Sequence, residues 1–240
     1  MVNGNHMRYC APSGTGEEDK LAAAVKQLLG LNRSVAVLYY QNSLMDWSQF
    51  SLHHWLEKNH PEWWVVNERG ETVCLDGQPL FNHSLPEMRA HWLGTGRRAL
   101  QTDLFAGVFA DRANPLPRSA QPQPGPGQSA ANGVLNASGD CVSPPDGRPP
   151  FQFTEAAYGA WADGHAQLLR DAQKAAGDGV VVANNNATVG VGGRQFERWC
   201  RADFDKATID EDIAALQQAG AAGTLALVHG GEPCDGAALA

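Results

Sequence analysis

Val35-Ala-Val-Leu-Tyr-Tyr40 is a continuous apolar run rich in β-formers, and it follows directly on a stretch with helical rhythm. In residues 17–29, Leu21, Ala24, Val25, Leu28 and Leu29 recur at i, i+3 and i+4, and Gly30 suits the position just past a helix end. A short strand with no polar alternation, entered from a helix, reads as a parallel strand covered on both faces. Outward from it the pattern repeats. Gly107-Val-Phe-Ala-Asp-Arg112 and Gly179-Val-Val-Val-Ala-Asn184 are two more buried strands, Gln195–Cys200 is a short fourth, and Gly223–Gly230 is the last. Helices fall between them. Ser84-Leu-Pro-Glu87 has the form of a capping box opening a helix to about Leu100, and Thr208-Ile-Asp-Glu211 opens another to about Gln218. Thr154 caps a third, with Tyr158, Trp161, His165, Leu168, Leu169 and Ala172 along one face. Trp63–Val66 and Glu71–Leu75, joined by Asn67-Glu-Arg-Gly70, read as a hairpin. Strands alternating with helices indicate βαβ units and an α/β fold with a parallel sheet, to be weighed against the (β/α)8 TIM barrel. Four or five strands are visible against the eight of a closed barrel, so the barrel is expected to be incomplete or partly cryptic.

The chain is 240 residues and 25.7 kDa, with 43% hydrophobic and 8% aromatic residues, enough for a sizeable core. It is read as a single domain over 1–240. Residues 114–150 interrupt it with 9 of the 14 prolines, five glycines and no aromatic residue. Such a stretch buries too little apolar surface to order itself, and is expected to be a long loop or insertion. A formal charge of −8 and a pI near 5.4 argue against a nucleic-acid partner, which needs a basic surface. No apolar run reaches the roughly 18–20 residues of a membrane span. The opening MVNGNHMRYC has no apolar segment of a signal peptide. Secretion is nonetheless weakly favoured by three N-x-S/T triplets, at Asn82, Asn136 and Asn186. Cys10, Cys74, Cys141, Cys200 and Cys234 are too scattered for a metal motif. They are either separate buried thiols or one or two disulfides with a cysteine left over.

In parallel α/β folds the chemistry sits at the carboxyl ends of the strands. The first strand delivers Tyr40 and Asn42, with Asp46 and Trp47 a little beyond; the second delivers Asp111 and Arg112; the third Asn184; and the later two Glu197 and His229. Asp111 closes an otherwise apolar strand. It is a candidate catalytic carboxylate, or else a partner for Arg112 or a cap on the next turn. Glu197 lies between Phe196 and Trp199, an apolar setting that raises a carboxyl pKa, unless it is a surface residue paired with Arg194 or Arg198. One raised acid beside one ionised carboxylate is the pair that glycosidic hydrolysis requires. Two Tyr, one Phe and four Trp crowd into residues 39–64 and serve either as core or as stacking surfaces for sugar rings, with Trp47 the best candidate for exposure. His83 and His229 could reach substrate hydroxyls. His53-His54 shows no third ligand at helical spacing and is read as surface or packing. No GxSxG, no GxGxxG after a strand and no phosphate loop is present, and neither a cofactor nor a metal is expected.

Several segments taken in order carry a resemblance. They are Val-Leu-Tyr-Tyr-Gln-Asn42, His60-Pro-Glu-Trp-Trp64, Glu71–Leu75, Asn82–Pro86 with Arg89 and Trp92, and Gly107-Val-Phe-Ala-Asp111. Val-Ala-Asn-Asn185 and Gly-Gly-Arg-Gln-Phe-Glu197 follow. The chain resembles the hypothetical glycosyl hydrolases, TIM-barrel glycoside hydrolases, over residues 20–113 and more loosely over 154–230. That resemblance implies a (β/α)8 barrel acting on a glycan, with Asp111 and Glu197 as the carboxylates. It also implies a strand before residue 17 and a β/α unit after His229, neither of which is visible. The expected activity is hydrolysis of O-glycosidic bonds in a poly- or oligosaccharide. Tyr40, Asn42, Asp46, Trp47, Arg112, Asn184 and His229 are the expected sugar contacts. The alternative is a degenerate barrel that binds carbohydrate without cleaving it.

Overall fold

The computed structural model describes residues 16–114, 133–143, 154–184, 191–199 and 206–230. The elements are α1 (Glu17–Leu31), β1 (Leu38–Asn42), α2 (Ser51–Asn59), β2 (Val73–Leu75), β3 (Gln78–Pro79) and α3 (Pro86–Leu100). Next come β4 (Gly107–Asp111), β5 (Gly133–Leu135), β6 (Cys141–Val142), α4 (Glu155–Ala176), β7 (Val180–Asn184), β8 (Gly193–Trp199), α5 (Lys206–Ala221) and β9 (Leu225–Gly230).

Strands β1, β4, β7, β8 and β9 form one parallel sheet in that order. The mixed α/β reading is therefore right, and the parallel sheet with it. Among the described residues the sheet has five strands, and an eight-stranded closed barrel is not what they form. The face of β4 and β7 that carries Val108, Ala110, Val181 and Ala183 packs on α3 and α4. Met88, Trp92, Leu168, Leu169 and Ala172 complete that core. The other face carries Tyr40, Phe109 and Val182, and then the polar residues at the strand ends. The two faces follow from the two-residue period of a strand. Because both faces must be apolar beneath the polar rim, β4 and β7 read in the sequence as unbroken apolar runs.

Two excursions leave the carboxyl ends of β1 and β4 and join each other in a four-stranded antiparallel sheet, ordered β3-β2-β5-β6. A disulfide, Cys74–Cys141, ties them together across 67 residues, with Cα atoms 5.9 Å apart. Residues 133–143 lie inside the Pro/Gly-rich stretch that was expected to lack order, and that expectation is corrected. Pairing with β2 and the disulfide supply from a distance what the local composition cannot. Val134 is buried as a result. A second core of Leu44, Met45, Val65, Val73, Leu75, Leu80 and Trp161 fills the space beneath this sheet.

Both expected capping boxes are absent. α3 starts at Pro86 with no side-chain cap, and the Ser84 hydroxyl turns back to Asn82. α5 begins at Lys206, so Thr208 lies inside it. Thr154 does cap α4, its hydroxyl accepting from the Ala157 N–H at 3.2 Å. The hairpin at Gly70 is reduced to a Val66–Thr72 bridge, and the fuller hairpin is β2–β3, turning at Asp76-Gly77. α4 approaches the 81–83 segment so closely that a Cβ on Gly164 would stand 2.0 Å from the His83 carbonyl oxygen, a distance that no other residue can accommodate. No helix of the described residues is long and apolar enough to cross a membrane.

Candidate active site

Register decides which side chains meet. Asn42 pairs with Asp111, Ala110 with Ala183, and Asn184 with Gln195. The ends of β1, β4, β7 and β8 therefore bring Asn42, Asp111, Asn184 and Gln195 into one row, with Tyr40 two residues back on β1. Asp111 is half-buried at the centre. Its Oδ2 accepts a 2.6 Å hydrogen bond from the Tyr40 hydroxyl and a long one, 3.4 Å, from the Asn42 amide. Its Oδ1 accepts from Asn184 Nδ2 at 2.7 Å and from the Arg112 backbone N–H at 2.8 Å. Arg112 adopts φ +53°, in the left-handed region, as the chain turns out of β4. The Asn42 orientation is fixed from its other end, since Oδ1 accepts the Leu44 and Met45 N–H groups at 2.9 and 2.8 Å and so aims Nδ2 at Asp111. Tyr40 packs on Phe109 and Phe50, ring centroids 6.2 and 6.3 Å away. Burial, followed by the Asp111 charge and hydrogen bond, pushes its pKa well above the ordinary tyrosine value. Tyr40 is thus a fixed donor to the carboxylate.

The rim is braced from behind. Ser43 donates its hydroxyl to the Asp111 or Arg112 carbonyl, at 2.9 and 3.1 Å, and lies 3.0 Å from His165 Nε2 on α4. With the hydroxyl proton committed to a carbonyl, His165 is the donor to Ser43. His83 packs against His165 and Trp161 with its ring tilted to both, centroids 4.7 and 5.3 Å away, and is fully buried. It cannot reach a substrate hydroxyl, which corrects the expectation from sequence. Burial lowers the pKa of both histidines, to about 4 for His165 and well below the ordinary value for His83, where the neighbouring His165 adds to the effect. Both are neutral in the folded protein at pH 7. The unfolded chain takes up protons near the usual value of 6.5, and the folded chain resists until about 4. The stabilisation is therefore complete above pH 6.5 and is lost as pH falls from there toward 4. His165 alone accounts for about 3 kcal/mol of that loss. Thermal melts at pH 7.5 and 4.5 test this: the drop in Tm is expected to be smaller in His165→Gln than in the wild type.

The remaining expected contacts are placed differently. Asp46 is buried at 1% exposure, its Oδ2 accepting from Trp64 Nε1 at 2.9 Å and paired with His53 Nδ1 at 3.1 Å. Burial raises the Asp46 pKa against the pull of those two partners. Burial also opposes the charged form of His53, but the Asp46 carboxylate and the Glu57 charge outweigh it and raise the His53 pKa. Asp46 supports the site from below and presents nothing to a sugar. Arg112 sends its guanidinium to Asp76 on the β2–β3 turn, at 2.6 Å, so it neither pairs with the Asp111 side chain nor faces the row. Trp47 is half-buried beside Tyr40, and its indole N–H makes no hydrogen bond of good geometry. Glu197 and His229 stand opposite each other in the β8–β9 register; their side chains lie outside the described residues, as do Asn185 and Asn186. Gln195 was not singled out from the sequence, though it stands two residues before Glu197, the spacing of one strand face. A narrow space of about 20 Å³ adjoins Tyr40, Asn42, Asp46 and Trp47. A larger hollow, about 550 Å³, lies at the opposite, amino end of β1 and β4, lined by Lys26, Arg33, Val37, Asp103 and Phe105. Strand carboxyl ends, and not this end, carry the chemistry of parallel α/β sheets.

The chain resembles a glycoside hydrolase family. Residues 30–142, which hold Tyr40, Asn42 and Asp111, match the family described as hypothetical glycosyl hydrolase family 15. No curated protein matches the chain. In fold it is similar to the glycoside hydrolase domain of PelA from Pseudomonas aeruginosa, with a TM-score of 0.51, 11% identity, and 85% of this chain and 70% of that one covered. A cycloalternan-degrading enzyme from Trueperella pyogenes is more distant, with a TM-score of 0.46 at 15% identity. This chain covers 26% of its length, and 86% of this chain is covered.

Proposed function

We propose that the protein hydrolyses O-glycosidic bonds in an oligo- or polysaccharide, with Asp111 as the carboxylate at the anomeric centre. The observation that carries this reading is the Asp111 carboxylate itself, oriented by Tyr40, Asn42 and Asn184 at a strand end, within the segment that matches a glycosyl hydrolase family. Asp111 acts either as the nucleophile or as the base that activates water. Glu197 is the general acid in this scheme. It stands on β8 two residues beyond Gln195, the strand period that returns to one face. The acid protonates the departing oxygen while positive charge develops at the anomeric carbon, and the carboxylate compensates that charge. Carboxyl groups about 5–5.5 Å apart retain configuration, and groups about 6.5–9.5 Å apart invert it. Asn184 and His229 position sugar hydroxyls, and the half-buried Trp47 offers a ring face to a sugar.

Tyr40 tunes this arrangement, because a hydrogen bond to a charged group contributes about 1.5–3 kcal/mol. Tyr40→Phe is expected to lower kcat about 10- to 100-fold on any substrate the protein cleaves, with Asp111 kept in place by Asn184. The function itself is tested by reducing-end release from a panel of α- and β-linked glucans, galactans and amino-sugar polymers. Release from at least one polymer is the expected result. Sugar binding without release from any polymer would favour the binding barrel over the hydrolase.

A further inference from the structure

We infer that the exposed face of α2 is a zinc site formed by His53, His54 and Glu57. One donor atom from each of the three residues lies within 4.8 Å of the other two. The helix explains the grouping. At 100° per residue, Glu57 projects at about 40° around the axis, between His53 at 0° and His54 at 100°. Glu57 is thus the third donor at helical spacing that the reading of the histidine pair lacked. Its distance from His53 is i to i+4, and from His54 i to i+3, so one face collects all three.

Three features separate this trio from an incidental cluster. His53 Nδ1 is bonded to the buried Asp46 carboxylate, which leaves Nε2 as the nitrogen for a metal. A carboxylate on the second nitrogen is the usual support of a zinc-bound histidine, because it fixes the tautomer and the ring orientation. Asp46 is in turn fixed by Trp64 Nε1, so the support is rigid. The His54 and Glu57 side chains are exposed and make no hydrogen bond among the described residues, so they can close on an ion from solvent. Metal bonds of about 2.05 Å place tetrahedral ligands roughly 3.3 Å apart. Rotation of the exposed Glu57 and His54 side chains supplies that contraction. Two imidazoles and one carboxylate suit zinc and disfavour magnesium or calcium, which take oxygen ligands. The fourth position is open to water. The site is outside the Asp111 row but shares Asp46 with its foundation. Bound zinc would therefore pin α2 against the segment that carries Trp47.

The test is binding, independent of any hydrolysis. Full-length protein, stripped with a chelator and with thiols alkylated, is titrated with Zn²⁺ by calorimetry, and with Co²⁺ while its visible spectrum is followed. One equivalent is expected, with a Co²⁺ spectrum of four-coordinate nitrogen and oxygen ligation. His54→Ala and Glu57→Gln, both surface substitutions, are each expected to weaken binding at least tenfold. Asp46→Asn, which never touches the ion, is expected to weaken it about 10- to 100-fold through His53. Circular dichroism establishes that each variant is folded. Unchanged affinity in His54→Ala or Glu57→Gln, or no saturable binding by the folded wild type, would overturn the site.

Discussion

Asp111→Asn is expected to reduce glycan hydrolysis by about 10²–10⁴-fold, the range associated with losing a positioned acid–base group. The change is nearly isosteric, but it removes the charge that the mechanism needs. It also turns an acceptor oxygen into an amide donor facing either Tyr40 or Asn184, both of which now donate to that position. Asp111 is only half-buried, so the misfit is relieved by a small rotation or by water. Stability is expected to change by about 1–3 kcal/mol at most, and the secondary structure not at all. A lost rate with a retained fold separates chemistry from architecture. A variant that retains wild-type turnover would remove Asp111 from the mechanism.

Reduction of the Cys74–Cys141 disulfide is expected to cause the largest change in stability. The bond closes a loop of 67 residues, and chain-entropy arguments assign such a loop about 4 kcal/mol. At about 2–4 °C per kcal/mol for a protein of this size, Tm falls by roughly 10 °C. The loss is local in origin. Cys74 is fully buried between β3 and β5, and the excursions from β1 and β4 have only short strands to join them. A Cys74→Ala, Cys141→Ala double variant is expected to melt at the same temperature as the reduced wild type, and to be insensitive to reductant. Equal melting temperatures for oxidised and reduced wild type would contradict the role given to the bond.

Asp111 and the Cys74–Cys141 pair also mark how much of the molecule was legible in the sequence. The place of Asp111 at the sheet rim was visible because Gly107-Val-Phe-Ala has no polar residue until the carboxylate, and a covered parallel strand ends its apolar run there. Tyr40, Asn42 and Asn184 were visible for the same reason. The Cys74–Cys141 pair was not, because a bond across 67 residues leaves no local trace, and the proline-rich composition around Cys141 pointed the other way. The Ser84 and Thr208 capping boxes were misread. In the folded chain the Ser84 hydroxyl is claimed by Asn82, and α5 begins upstream of Thr208. Asp46 and Arg112 had the right positions in sequence, but Asp46 turns into the core toward Trp64 and Arg112 outward to Asp76. The Ser43–His165 brace joins β1 to α4 over 122 residues and had no signature at all. Contacts between neighbouring strand ends follow from a rule about strands; contacts across layers depend on the packing itself.

The most direct test of the central claim is a side-by-side measurement of product formation by the wild type and Asp111→Asn on the best-cleaved polymer of the panel, with both proteins folded by circular dichroism. The account predicts reducing-end release by the wild type and at least a hundredfold less by the variant. Equal release by both, or none from a folded wild type on any polymer, would contradict it.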